Sequence, residues 1–158
     1  MLTKQNEKAI DRFVERLGLM SERNGSTRTL GRIFAILMTA DRPLSFSEIA
    51  QRLQISRGGM SMNARSLVEQ RLIERVSLPG ERQDYFQLPQ DLWRRLFERR
   101  MRQDKELFDT TMQLMNEDAS LSADVRKDLD QLTRVLQLSL EARSKLMETL
   151  SVSAADPE

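Results

Sequence analysis

Cysteine and histidine are both missing from this chain of 158 residues. Without thiolates or imidazoles there is no disulfide framework, no zinc site of the usual ligand chemistry, no cysteine nucleophile and no histidine general base. Aromatic residues are scarce, with one Trp, one Tyr and six Phe, so a cage of several rings around a quaternary ammonium has little to be built from. No run approaches the ~20 apolar residues of a membrane-crossing helix, and the opening Met-Leu-Thr-Lys-Gln-Asn-Glu-Lys has no apolar signal segment, so a cytoplasmic protein is expected. An excess of one charge is also lacking: Lys and Arg number 25 against 24 Asp and Glu, a net +1. Any attraction to nucleic acid must therefore be local. There is no internal repeat and no glycine-rich phosphate loop, so neither an enzyme nor a bound cofactor is expected.

What the chain does have is concentrated in residues 45–88. Ser45-Phe46-Ser47-Glu48 has the form of a capping box, in which the Ser45 hydroxyl accepts from the amide three residues on while the Glu48 carboxylate reaches back to the Ser45 amide. Phe46, Ile49, Ala50 and Leu53 then fall at i, i+3, i+4 and i+7, one face of a short helix. Gln54-Ile55 reads as a turn with Ile55 plugging the corner, and Ser56 as the N-cap of a second helix running to about Arg71. Leu72 to Val76 reads as a strand, Pro79-Gly80-Glu81-Arg82 as a turn and Tyr85 to Leu88 as the returning strand. Helix, turn, helix and hairpin in that order make a winged helix-turn-helix.

The second helix divides its faces by chemistry. Met60, Ala64, Leu67, Val68 and the stem of Arg71 gather on one side, which should pack inward. The other side carries Gly58, Ser61, Met62, Arg65, Ser66 and Glu69. Slim side chains at the start and a long guanidinium farther along suit a helix that enters a major groove. Gly58-Gly59 in the first turn costs about 1 kcal/mol per glycine against alanine. Either the missing side chains let the helix start approach phosphates, or the glycines merely extend the turn. Met62 could meet a thymine methyl or simply lie on the surface. Arginines 57, 65, 71, 75 and 82 outnumber Glu69, Glu74 and Glu81 over the same stretch.

Helices flank this unit. Ile10, Phe13, Val14, Leu17 and Met20 form an amphipathic stripe from about Thr3 to Glu22. Asn24-Gly25-Ser26-Thr27 breaks it, with Ser26 or Thr27 capping a helix whose Leu30, Ile33, Phe34, Ile36, Leu37, Met38 and Ala40 mark it as the buried centre. Pro43 ends that helix. After the hairpin, a long helix from Pro89 to about Glu117 carries Leu92, Trp93, Leu96, Phe97, Met101, Phe108, Met112 and Met115. Ser122 caps a last helix in which Val125, Leu129, Leu132, Val135, Leu136, Leu140, Leu146, Met147 and Leu150 keep near-heptad spacing. The expected organisation is an N-terminal packing or dimerisation helix (1–24), the winged helix-turn-helix (26–88), C-terminal dimerisation helices (89–151) and a flexible tail (152–158). The fold class is thus mainly α with a small β-hairpin wing. The terminal helices exceed what the winged helix needs, and a two-fold interface is expected to cover them, with Leu132 and Leu136 at its centre.

Gly31-Arg32-Ile33-Phe34, Pro43-Leu44-Ser45, Glu48-Ile49-Ala50, the run from Ser56 to Arg65 and Pro79-Gly80-Glu81-Arg82-Gln83-Asp84-Tyr85-Phe86 resemble the GbsR-like branch of the MarR transcriptional regulators. The resemblance is specific from about Arg28 to Leu92 and weak over the last helices. It implies a homodimeric winged-helix regulator, usually a repressor, on a pseudo-palindromic operator, with Ser56 to Arg65 starting the major-groove helix and Arg82 at the wing tip. Many MarR proteins carry Asp-x-Arg in the wing, whereas here the acid and arginine are adjacent, Glu81-Arg82.

The residues expected at double-stranded DNA are Ser45, Ser47, Ser56, Arg57, Gly58, Gly59, Ser61, Met62, Asn63, Arg65 and Arg82. Relatives in this family bind aromatic acids or osmolytes, and Trp93 with Phe97 is the best candidate for a small-molecule effector pocket, although both also read as core. A winged helix used only to bind another protein remains the alternative, and it predicts an apolar or acidic exposed face on Ser56–Arg71.

Overall fold

The computed structural model describes residues 4–153, with the side chains of 5–149. The expected helix start at Thr3, the Leu150 side chain and the tail beyond 153 lie outside the described residues. The chain divides into two compact units, one through Leu92 and one from Trp93.

In the first unit, α1 (Lys4–Arg23) packs on α2 (Arg28–Met38). The pairing is close because a Cβ on Gly31 would lie 2.6 Å from both the Leu17 carbonyl and the Ser21 Cβ. Val14 from α1 and Gly31, Ile33, Ala35, Ile36 and Leu37 from α2 are buried, so α2 is the centre expected from its nearly all-round apolar sequence. Met20 departs from the expected stripe and is 55% exposed. Helix α3 (Phe46–Leu53) begins with the anticipated capping box, both halves of which form. Helix α4 (Arg57–Glu69) starts at Ser56, whose hydroxyl accepts from the Gly59 amide.

Both helix-turn-helix elements end on a left-handed residue that is not glycine. Gln54 (φ 52) closes α3 and Arg71 (φ 58) follows α4. The amides of Ile55 and Leu72 each reach back five residues, to Ala50 and Leu67, at 3.0 and 2.9 Å. This is the Schellman pattern, and it turns the chain sharply enough to pack Ile55 and Leu72 against the core. Arg71 therefore lies outside the helix and exposed, and its stem does not join the inward face expected of it. Val68 is likewise 37% exposed.

The hairpin is part of a three-stranded antiparallel sheet of order β1-β3-β2: β1 (Leu44–Ser45), β2 (Glu74–Val76) and β3 (Tyr85–Gln87). Leu44 pairs with Phe86 on one side of β3, and Arg75 pairs with Phe86 on the other. Strand β1 had no signature in the sequence. At the wing tip the Glu81 amide donates to the Leu78 carbonyl at 3.1 Å, with Pro79 second and Gly80 (φ 82) third, the geometry of a type II turn that needs glycine there.

The second unit is α5 (Leu92–Glu117) and α6 (Ala123–Ser153). Pro89 forms a turn with Leu92 and precedes the helix that it was expected to start. Arg126 near the start of α6 donates to the Met115 and Asp118 carbonyls at the end of α5, and Arg143 pairs with Asp104 midway along both helices. These ties run the two helices antiparallel. Asp104 is buried and is also held by Arg100 at 3.1 Å, so the carboxylate does not go unpaired. Leu136 is buried within its own chain, which removes it from the centre of an interface. Its neighbours Val135 and Leu138 are the exposed ones, at 64% and 59%.

Candidate nucleic-acid interface

Helix α4 and the wing share one exposed surface. On α4, Arg57, Gly58, Ser61, Met62, Arg65 and Glu69 are exposed, with Met62 at 65%, while Met60, Ala64 and Leu67 are buried. The division of faces read from the sequence thus holds apart from its last two members. A Cβ on Gly58 would meet nothing within 4 Å, so neither packing nor φ requires glycine there. Ser56 is exposed and caps the helix, leaving the Arg57 and Gly58 amides as open donors at its positive end. Ser47 is exposed in the first turn of α3.

Two of the expected contact residues face inward. Ser45 is 2% exposed, its hydroxyl accepting from the Glu48 amide and its own amide donating to Glu48 at 2.7 Å. Asn63 is 5% exposed, with both ends of its carboxamide bonded within the protein. Neither can reach a base or a phosphate, and both serve to hold the helices that carry the exposed set.

The wing is fastened at its base. Tyr85 and Phe86 are buried, and Arg75 on β2 pairs with Asp84 just before β3 at 3.4 Å. Glu74 accepts from Gln87 across the same two strands at 2.6 Å. Asp84 is thereby engaged by Arg75, and among the described residues Arg57, Arg65, Arg71 and Arg82 form no ion pair. Between α4 and the wing lies a groove of about 290 Å³, floored by Phe46, Ala64, Val68 and Phe86 and rimmed by Arg65 and Arg75.

Residues 27–84 match the MarR family. Over that segment the chain is similar to the MarR family of winged helices. The mycobacterial regulator MmpR5, from Mycobacterium tuberculosis, is 40% identical over 83 residues, which are 52% of this chain and 50% of that protein. The transcriptional repressor OpcR of Bacillus subtilis is 25% identical over 87 residues, 55% of this chain and 47% of its own. The chain spans about half the length of the curated relatives it matches. A crystal structure of a transcriptional regulator aligns with a TM-score of 0.69 at 28% identity, over 90% of this chain and 98% of that one.

The winged-helix domain also contains ties that residue patterns did not reveal. Arg42 donates to Glu48 at 2.6 Å, and that guanidinium first, with the Ser45 amide, holds the Glu48 carboxyl at about 2. Thr27 reaches Asn63 across 36 residues of chain. The one available signal was Asn63 itself, a carboxamide set among Met60, Ala64 and Leu67 on an inward face. Outside this domain, Trp93 is 51% exposed at the start of α5 and Phe97 is half-buried one turn later, so Trp93 does not belong to the core.

Proposed function

We propose that this chain is a sequence-specific regulator of transcription that binds double-stranded DNA through α4 and the wing. The observation that carries the reading is the exposed face of α4. It presents small side chains, two open amides and Arg65, and Arg82 is exposed on the wing, with no acid pairing either arginine among the described residues. Direct readout falls to Ser61, Met62 and Arg65, where Arg65 has the fork that matches guanine O6 and N7. Arg57 and the first amides of α4 take phosphates, which fix register without reading sequence. Arg82 extends toward the adjacent minor groove.

The protein acts as a homodimer on a pseudo-palindromic operator, supported by the exposed apolar residues of α6 and by the two-fold logic of half-sites. A repressor is the preferred mode, in line with the name of the OpcR relative, and the sequence motifs favour the GbsR-like branch. A small-molecule effector, with Trp93 and Phe97 in its pocket, completes the reading. The protein-interaction alternative calls for an apolar or acidic face on α4, and the exposed residues there are mixed, with Arg57, Gly58, Ser61 and Arg65 beside Met62, Val68 and a single acid, Glu69.

The test is the salt dependence of binding to duplex DNA. The regulator reading expects log K to fall linearly with log salt as counterions are released from contacted phosphates. Absence of binding at low salt refutes it.

A further inference from the structure

We infer that Asn63 is a positioning residue for DNA readout: with Thr27 it sets the rotation of α4 against α2 and so aims Ser61, Met62 and Arg65. The inference rests on the proposed function, because readout by α4 is what it refines.

Asn63 sits on the inward side of α4, on which Met60, Ala64 and Leu67 are buried. A carboxamide placed there must satisfy its polar atoms inside the protein. Its Nδ2 donates to the Gly59 carbonyl at 2.7 Å, one turn back, and its Oδ1 accepts from the Thr27 hydroxyl at 2.5 Å. The Thr27 oxygen in turn accepts from the Leu30 amide at 3.0 Å, as the N-cap of α2. Gly59 is gripped at its amide as well, by the Ser56 hydroxyl at 3.1 Å. One line of hydrogen bonds therefore runs from the first turn of the buried central helix to the first turn of the recognition helix.

The two glycines give that turn no side chain to orient it, and its apolar anchor is the buried Met60. A Cβ at Gly58 would meet nothing within 4 Å, and one at Gly59 would meet only the Ser56 hydroxyl, at 3.3 Å. Apolar contacts farther along α4 tolerate small rotations, because side chains can slide over one another. A short hydrogen bond does not, since its strength falls steeply with distance and angle. A rotation of about 20° moves a group roughly 6 Å from the helix axis by about 2 Å. Bidentate pairing of Arg65 with a base would not survive such a shift. Asn63 thus acts on specificity through Arg65 and its neighbours, while phosphate contacts remain.

The experiment uses the full chain, a duplex enriched by the wild type from a randomised pool, and a scrambled duplex of equal composition. Thr27→Val removes the hydroxyl at an exposed position with little change of shape, Thr27→Ser keeps it, and Asn63→Ala removes the carboxamide. The ratio of affinities, enriched over scrambled, should fall about tenfold in Thr27→Val and in Asn63→Ala, with the double variant no worse than either. Thr27→Ser should stay within about twofold of the wild type, and the salt slope on scrambled DNA should not change. Thermal unfolding of the same samples separates the alternatives, and Thr27→Val alone decides the matter should Asn63→Ala not fold. If the variants lose thermal stability yet keep the wild-type ratio, Asn63 is structural only and the inference is overturned. It is equally overturned if Thr27→Ser fails to restore the ratio. If the wild type enriches no duplex, the proposed function itself fails and takes the inference with it.

Discussion

Arg65 on α4 and Arg82 on the wing are both exposed, and the proposed function gives them different roles that single substitutions distinguish. Arg65→Ala should cost about 1–3 kcal/mol on the preferred duplex and relax the preference at one base position. Arg82→Ala should lower affinity on all sequences and reduce the salt slope by about one, with thermal stability unchanged, because the ion pair at the wing base belongs to Arg75 and Asp84. A loss of stability in Arg82→Ala without a change in slope would make Arg82 a structural residue. Glu48 offers a test away from DNA. Its folded-state pKa of about 2 lies below the ordinary 4.5, so its contribution is present above 4.5 and is lost as the pH falls toward 2. The side chain is 42% exposed, and screening keeps the effect modest. Glu48→Gln should be less stable than the wild type near neutral pH, and the gap should close in acid. A constant gap across that range contradicts the capping and Arg42 assignment. At this scale the sequence exposed Arg65, Met62 and the capping box, whose signals lie within a few residues. It hid Thr27–Asn63 and Arg75–Asp84, which exist only once distant segments meet.

The elements were legible where local chemistry decides them. Ser45, Thr27 and Ser56 each cap the helix that they were expected to start, or were among the residues named for it. The end of α4 was misplaced because Arg71 takes a left-handed conformation that the sequence advertises only when glycine or asparagine fills the position. Strand β1 escaped notice because two residues show no alternation, and it exists only because β3 has an edge to pair with. Two glycines give opposite expectations. Gly31→Ala forces a methyl against the Leu17 carbonyl and Ser21 where α1 crosses α2, and should destabilise by about 1–3 kcal/mol in thermal or denaturant unfolding. Gly58→Ala enters open space on a helix and should stabilise by up to about 1 kcal/mol, while weakening binding to all duplexes by crowding the phosphate approach. Unchanged DNA affinity in Gly58→Ala would mean that this glycine only extends the turn.

For the whole molecule, the sequence disclosed a surplus of apolar helix but not which residues spend it inside the chain. Antiparallel pairing of α5 with α6 leaves Leu136 buried while Val135 and Leu138 stay exposed. Near-heptad spacing cannot separate the two fates, since it marks both faces of a helix that packs twice. The homodimer reading therefore moves its test to the exposed pair. Aspartate at both Val135 and Leu138 should leave the monomer folded, and it should shift sedimentation toward monomer by burying unpaired charge at the interface. A stable dimer in that variant would place the interface elsewhere.

The most direct test of the central claim is selection from a randomised duplex pool by the purified full chain, with sequencing of the retained DNA. Specific readout by a dimer predicts enrichment of an inverted repeat whose half-sites are centred about 10 bp, one helical turn, apart. It also predicts that Arg65→Ala will blur one symmetric pair of positions in that motif. Retained DNA no different in sequence from the starting pool would contradict specific readout by α4.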